Sequence, residues 1–176
     1  MVDSETRSRR PDAGEYPEYY APYVQRVGGG DVLGILRGQV SETASLLEGL
    51  PEERHSFRYA EGKWTLRQVV GHMLDVEWVF TYRALRFARG DATPLPTMPH
   101  EDFVENGNAD ERSLSDLLAE LRSLRAANTG LFGSFDEGIL DRRGNASGGD
   151  FNVRSILYII AGHELHHRQV LRERYL

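Results

Sequence analysis

The chain has 176 residues, 40% of them hydrophobic, enough for one domain with a sizeable core and with no composition break that asks for two. It contains no cysteine, which excludes a disulfide framework, thiolate metal ligation and a cysteine nucleophile, and leaves any metal to His, Asp or Glu. A formal charge of −6 argues against the concentrated basic surface that nucleic acid requires, and no apolar run reaches the roughly eighteen residues of a membrane span, so a soluble cytoplasmic protein is expected.

Residues 1–14 are polar, with Arg7, Arg9 and Arg10 before Pro11, and read as a flexible tail ahead of a domain over 15–176. Tyr16, Tyr19, Tyr20 and Tyr23 alternate with Pro17 and Pro22 in a stretch too rich in proline for a helix but apolar enough to lie across one. It is expected to strap the bundle, and its rings could also line a pocket. After Gly28-Gly29-Gly30, Asp31 is placed to cap a helix whose apolar positions include Leu36, Val40 and Leu47, ending before Pro51. Residues 52–63 show little period and read as loop.

Thr65-Leu66-Arg67-Gln68 is a capping box with Trp64 just outside it, so a second helix starts here and runs to Gly90. Its inward stripe is Leu66, Val69, Val70, Met73, Val76, Phe80, Ala84 and Phe87; Glu77 falls inside that stripe and His72 lies on its edge. Pro94, Pro96 and Pro99 predict an extended crossover over 91–112. Ser113 caps a leucine-striped third helix, Asn145–Gly149 reads as a flexible turn, and Asn152 caps the fourth helix. Four amphipathic helices with almost no strand signal spell an all-α four-helix bundle.

The fourth helix carries three of the six histidines within five positions. At about 100° per residue, His163 and His167 share the inward stripe with Ile156 and Ile160, whereas His166 lies about 60° away toward the rim. His163 and His167, with His72 from the second helix, form a candidate metal site. Three imidazoles without a further protein ligand is the open arrangement that zinc, nickel or iron uses in catalysis. The alternative is a set of hydrogen-bonded core histidines. His163-Glu164-Leu165-His166-His167 also satisfies H-E-x-x-H, but only residues 168–176 follow and no strands are predicted to shape a peptide cleft, so a zinc protease is not expected. Glu77 is the better internal carboxylate, as a general base, as a group orienting an imidazole, or as a rim ion pair.

The stretch from Lys63 to Glu77, KWTLRQVVGHMLDVE, resembles the opening of the second helix in the DinB/YfiT-like superfamily, and His163–Gln169 is similar to its last-helix H-x-x-x-H. Tyr82–Asp91 followed by the proline-rich loop resembles one branch of that group, so the similarity spans about residues 16–176. The resemblance implies a four-helix bundle with a divalent metal, often zinc or nickel, on His72, His163 and His167. It also implies a thiol-dependent S-transferase or isomerase type of activity, in which the metal activates bacillithiol, mycothiol or glutathione toward an electrophilic small molecule. A metal-dependent hydrolase and a non-enzymatic metal-binding bundle are the alternatives, and a homodimer is compatible with all three. With His72 near the start of its helix and the crossover leaving the far end, the strap tyrosines and Trp64 are expected to wall the site. The crossover is not, unless its later part around Asp102–Glu105 travels back.

Overall fold

The computed structural model describes residues 9–176. Two 3-10 turns, Ala13–Glu15 and Glu18–Tyr20, lead into a short helix α1 (Ala21–Arg26). There follow α2 (Val32–Leu47), the single turn α3 (Glu52–His55), α4 (Leu66–Ala88) and α5 (His100–Asn106). After a 3-10 turn at Ala109–Glu111 come α6 (Leu114–Gly133), the turn α7 (Glu137–Leu140), a hairpin of β1 (Arg143–Ala146) and β2 (Gly149–Asn152), and α8 (Val153–Arg174). Among the described residues no helix is long and apolar enough to cross a membrane.

The long helices start where their caps predict. Asp31 accepts from the Leu33 amide, Ser113 from Asp116 and Asn152 from Ser155, each within 3.0 Å. Thr65 accepts from the Gln68 amide while Gln68 accepts from the Thr65 amide, completing the capping box. Gly90, at φ 76, ends α4 in the left-handed conformation that glycine adopts without strain.

Three expectations are corrected. The tyrosine strap is partly helical: Pro22 stands in the first turn of α1, where its missing N–H has no helical acceptor to serve. The crossover is not extended throughout, because beyond Pro99 no proline interrupts the chain and Glu101 and Asp102 favour the first turn of α5. The Asn145–Gly149 turn sits inside a hairpin, turned by Ser147 and Gly148 at φ 55 and 76 in the manner of a type I′ turn. Its four-residue strands are too short to show a period, and β2 runs straight into the cap of α8. Of the expected tail, residues 1–8 lie outside the described residues. Arg9 pairs with Glu15 and Asp141 at 3.0 and 2.9 Å, and Arg10 donates to the Val24 carbonyl at 2.7 Å.

The apolar core comes in two parts. One holds the beginning of α2 (Leu33, Leu36), the end of α4 (Phe80, Phe87), the end of α6 (Phe132) and the beginning of α8 (Ile156, Ile160). The other holds the opposite ends of the same helices: Leu47, Leu66 and Val70, Leu117 and Leu121, and Leu171. Hence α2 and α8 run one way and α4 and α6 the other. Each of α2 and α4 packs against both α6 and α8. Between the two apolar parts, all four helices contribute buried polar side chains: Gln39 and Thr43, His72 and Glu77, Arg125 and Asn128, His163 and Glu164.

α1 lies on α8 at a point where only glycine fits. A β-carbon at Gly162 would stand 2.0 Å from the Tyr23 carbonyl oxygen, far inside van der Waals contact. Gly162→Ala is expected to push α1 off the bundle and cost about 1–3 kcal/mol, the range for overpacked sites. Urea unfolding of the variant against the parent measures it.

Candidate metal centre

α4 and α8 run antiparallel in contact, and this brings His72, near the start of one, against His163 and His167, one turn apart in the second half of the other. The Nε2 atom of His163 is 3.1 Å from that of His72 and 3.0 Å from that of His167. His72 and His163 are buried and His167 is half-buried. Burial, and then the neighbouring imidazoles, hold the pKa values of His163 and His167 well below the ordinary histidine value. His72 is lowered to about 4, by burial first and then by His100 and His166. At neutral pH all three rings are uncharged.

Three uncharged nitrogens facing one another cannot all be satisfied by one another. The single His163 Nε2 has either one proton or one lone pair to offer, yet it meets two partners. A cation among them resolves the conflict, because all three nitrogens then present lone pairs. Two nitrogens on a tetrahedral zinc ion at about 2.05 Å stand about 3.3 Å apart, close to the 3.0 and 3.1 Å found on the two sides of His163, and the three ligand atoms all lie within 4.8 Å of one another. Among the described residues, Nδ1 of His72 and of His167 has no hydrogen-bond partner, so their tautomers are free to be set from the Nε2 side. The residues present therefore fit a divalent metal.

The histidines floor a cavity of about 550 Å³. Tyr20, Tyr23 and Trp64 wall it as expected; the Trp64 ring lies 4.8 Å from His72 and the Tyr23 ring 5.6 Å from His163. The crossover lines it too, through Thr97, Met98 and His100. This corrects the expectation that the crossover stays away from the site, and it is the part up to His100, not Asp102–Glu105, that supplies the wall. Leu95 pairs with the hairpin, its amide bonded to the Asn145 carbonyl and its carbonyl accepting from Ser147, and α5 then descends along α4. The His100 ring ends 6.1 Å from that of His72. His166 stands beside the cluster, its ring 5.6 Å from Tyr23.

Glu77 is not brought to this cavity. Arg125 donates to both its oxygens, at 2.8 and 2.7 Å, and Asn128 adds a bond at 3.1 Å. Glu164, the acidic residue of the H-E-x-x-H match, is buried with Thr43 at 2.5 Å and Arg125 at 2.7 Å. Neither carboxylate lines the large cavity; both border a small pocket of about 10 Å³ together with Arg125 and His163. Sequence reasoning missed Arg125 altogether, although an arginine in the leucine-striped third helix, in register with Leu114, Leu118 and Leu121, was a legible signal.

The profile of the DinB superfamily matches residues 35–171, more than half of the chain. The chain belongs to the DinB superfamily. It is 25% identical over 137 residues, 77% of each chain, to a Geobacillus kaustophilus protein named as a candidate metal-dependent hydrolase. Its fold matches that of YfiT from Bacillus subtilis with a TM-score of 0.74, at 19% identity over 94% of this chain and 91% of that one. YfiT is described as a candidate metal-dependent hydrolase with an unusual four-helix bundle topology. The DinB-like protein YjoA, also from Bacillus subtilis, matches with a TM-score of 0.57 at 19% identity, over 82% of this chain and 89% of that one. At these identities the two structures establish the four-helix-bundle fold.

The depressed histidine pKa values set a pH dependence for the metal-free protein. The unfolded chain takes up protons below about pH 6.5 while the folded triad resists, so stability is full above that value and falls with pH toward the folded pKa values, His72 protonating at about 4. After chelation, the urea midpoint is expected to be lower at about pH 5 than at about pH 7.5, with a smaller difference in His163→Leu.

Proposed function

We propose that this DinB-superfamily protein is a divalent-metal-dependent enzyme acting on a small molecule held in the aromatic cavity, with His72, His163 and His167 as the ligands. The observation that carries the reading is the meeting of three uncharged Nε2 atoms, 3.0 and 3.1 Å apart, at the floor of a cavity of about 550 Å³. A divalent ion at that point supplies Lewis acidity, lowering the pKa of a thiol or a water that reaches it. Zinc and nickel suit an all-imidazole set, and iron is compatible with it.

The favoured reaction is transfer of a low-molecular-weight thiol, of the bacillithiol, mycothiol or glutathione type, to an electrophilic carbon. The thiol releases its proton to solvent, its sulfur bonds to the carbon, and the leaving group departs with the electron pair of the broken bond. The placement of the carboxylates supports this choice. Glu77 and Glu164, the buried carboxylates among the described residues, are held by Arg125 and Thr43 and do not line the cavity. A thiol ionises near pKa 8.5 and needs less help from a base than water does, at about 15.7. Tyr20, Tyr23 and Trp64 bind and orient, and their rings keep water from the reacting atoms. Hydrolysis is the second reading, favoured by the naming of the Geobacillus and Bacillus relatives.

Two measurements test these statements. His72→Ala, His163→Ala and His167→Ala are each expected to lose most bound metal in elemental analysis while His166→Ala keeps it; full occupancy in His72→Ala would break the inter-helix part of the site. A panel of thiols and esters is expected to show turnover that requires a thiol, and ester cleavage without one would replace transfer by hydrolysis.

A further inference from the structure

Four arginines are buried among the described residues: Arg83, Arg125, Arg154 and Arg168. Three of them meet a carboxylate. Arg125 meets Glu77 and Glu164, Arg154 meets Asp141, and Arg168 meets Glu42, all within 3.0 Å. Arg83 is 2% exposed, and among the described residues no carboxylate stands within 4.0 Å of it. Its partners are neutral. Nη2 donates to the Pro96 carbonyl at 3.0 Å and to Ser147 Oγ at 3.1 Å, and Tyr20 shares a further hydrogen bond. The guanidinium lies over the Phe80 ring, 4.9 Å from its centre.

An always-charged group desolvated against aromatic rings without a counter-ion is costly, and proteins elsewhere in such places provide an acid. Here the crossover and the hairpin grip one nitrogen and fix the plane of the fork, while the same side chain lines the cavity that the histidines floor. A fixed guanidinium at a cavity wall, with no carboxylate partner among the described residues, is suited to receive a planar oxyanion through paired hydrogen bonds. One such cation balances a carboxylate. A phosphate monoester brings about two negative charges and would leave one unmet.

We infer that Arg83 is the binding site for a carboxylate on the substrate, so that the enzyme proposed above acts on anionic small molecules. This names the substrate class of that same site and rests on the cavity rather than on the metal. Arg83 lies eleven residues beyond His72 on α4, roughly 16 Å along the axis at about 1.5 Å per residue. Both side chains lean toward the helix start, so most of that separation persists between the carboxylate and the reacting atom. The substrate is elongated, with its acid at the Phe80 end and its reactive group over the histidines.

The test compares phenylpropanoate with its neutral isostere phenylpropanamide by calorimetric titration, on metal-loaded and on chelated protein. Wild type is expected to prefer the carboxylate by about tenfold, equivalent to about 1.4 kcal/mol, in both metal states. Arg83→Gln is expected to lose that preference and Arg83→Lys to keep part of it. Equal affinity for the two compounds in wild type overturns the inference, as does failure of both to bind. So does a preference that survives Arg83→Gln but vanishes on chelation, which would put the carboxylate on the metal. Should Arg83→Gln not fold, the Nε–H resonance of Arg83 in wild type decides: it shifts with the carboxylate and not the amide, or the inference is wrong. A protein that shows the preference but takes up no metal refutes the metal reading and leaves this one standing.

Discussion

Arg125, on α6, stands 2.7 Å from a carboxylate oxygen of Glu77 on α4 and 2.7 Å from one of Glu164 on α8, and donates to the Leu36 carbonyl of α2 at 2.8 Å. One side chain thus touches all four long helices. Burial alone would lower its pKa, but Glu164 and Glu77 outweigh that and raise it above the ordinary arginine value. The contact to Glu164 is one of charge rather than of an aligned hydrogen bond, since among the described residues Glu164 Oε2 finds no donor with acceptable geometry and its other oxygen takes the Thr43 hydroxyl. Each of these groups buried alone would cost several kcal/mol, so the helices cannot slide past one another without stranding a charge. A wholly apolar core would penalise such a slip far less.

The same layer carries the histidines. Glu77 lies little more than one turn beyond His72 on α4, and Glu164 directly follows His163 on α8. Holding the two acids on one guanidinium therefore fixes the axial register of the two helices that must bring Nε2 atoms to within 3.1 Å. Glu77 bears on the site through this register, with its oxygens taken by Arg125 and Asn128. Replacing the layer by leucines would keep a bundle and could even stabilise it, but would leave the meeting of His72 with His163 to packing alone.

Capping chemistry made the helix starts legible, because Thr65–Gln68, Ser113 and Asn152 act within four residues of themselves. The histidine trio was legible for a related reason: an i, i+4 pair on an inward stripe has one direction in which to point. What stayed hidden depends on contacts distant in sequence. Nothing near Leu95 announces that it will pair with Ala146, and without that pairing the crossover has no reason to turn back toward His72. Nothing near Glu77 announces Arg125, forty-eight positions away. The strap was misread for the opposite reason, since Pro22 was weighed as a helix breaker when its place in a first turn made it a tolerated residue.

Helix direction explains why the cavity has two unlike ends. Because α4 and α6 run the same way, the chain leaving α4 must return along its whole length before α6 can start. On that return Pro96 meets Arg83 near the end of α4, and Met98 and His100 pass on toward His72 near its beginning. The hairpin before α8 closes the same end, with Ser147 on Arg83 and Phe151 against Tyr20 at 5.3 Å. One end of the cavity is therefore a fixed positive charge set in aromatic rings, and the other a cluster of neutral nitrogens with lone pairs to offer. A molecule lying between them would meet a charge at one end and the histidines at the other. The crossover is what joins these ends, so its return, required by topology alone, doubles as a wall of the cavity.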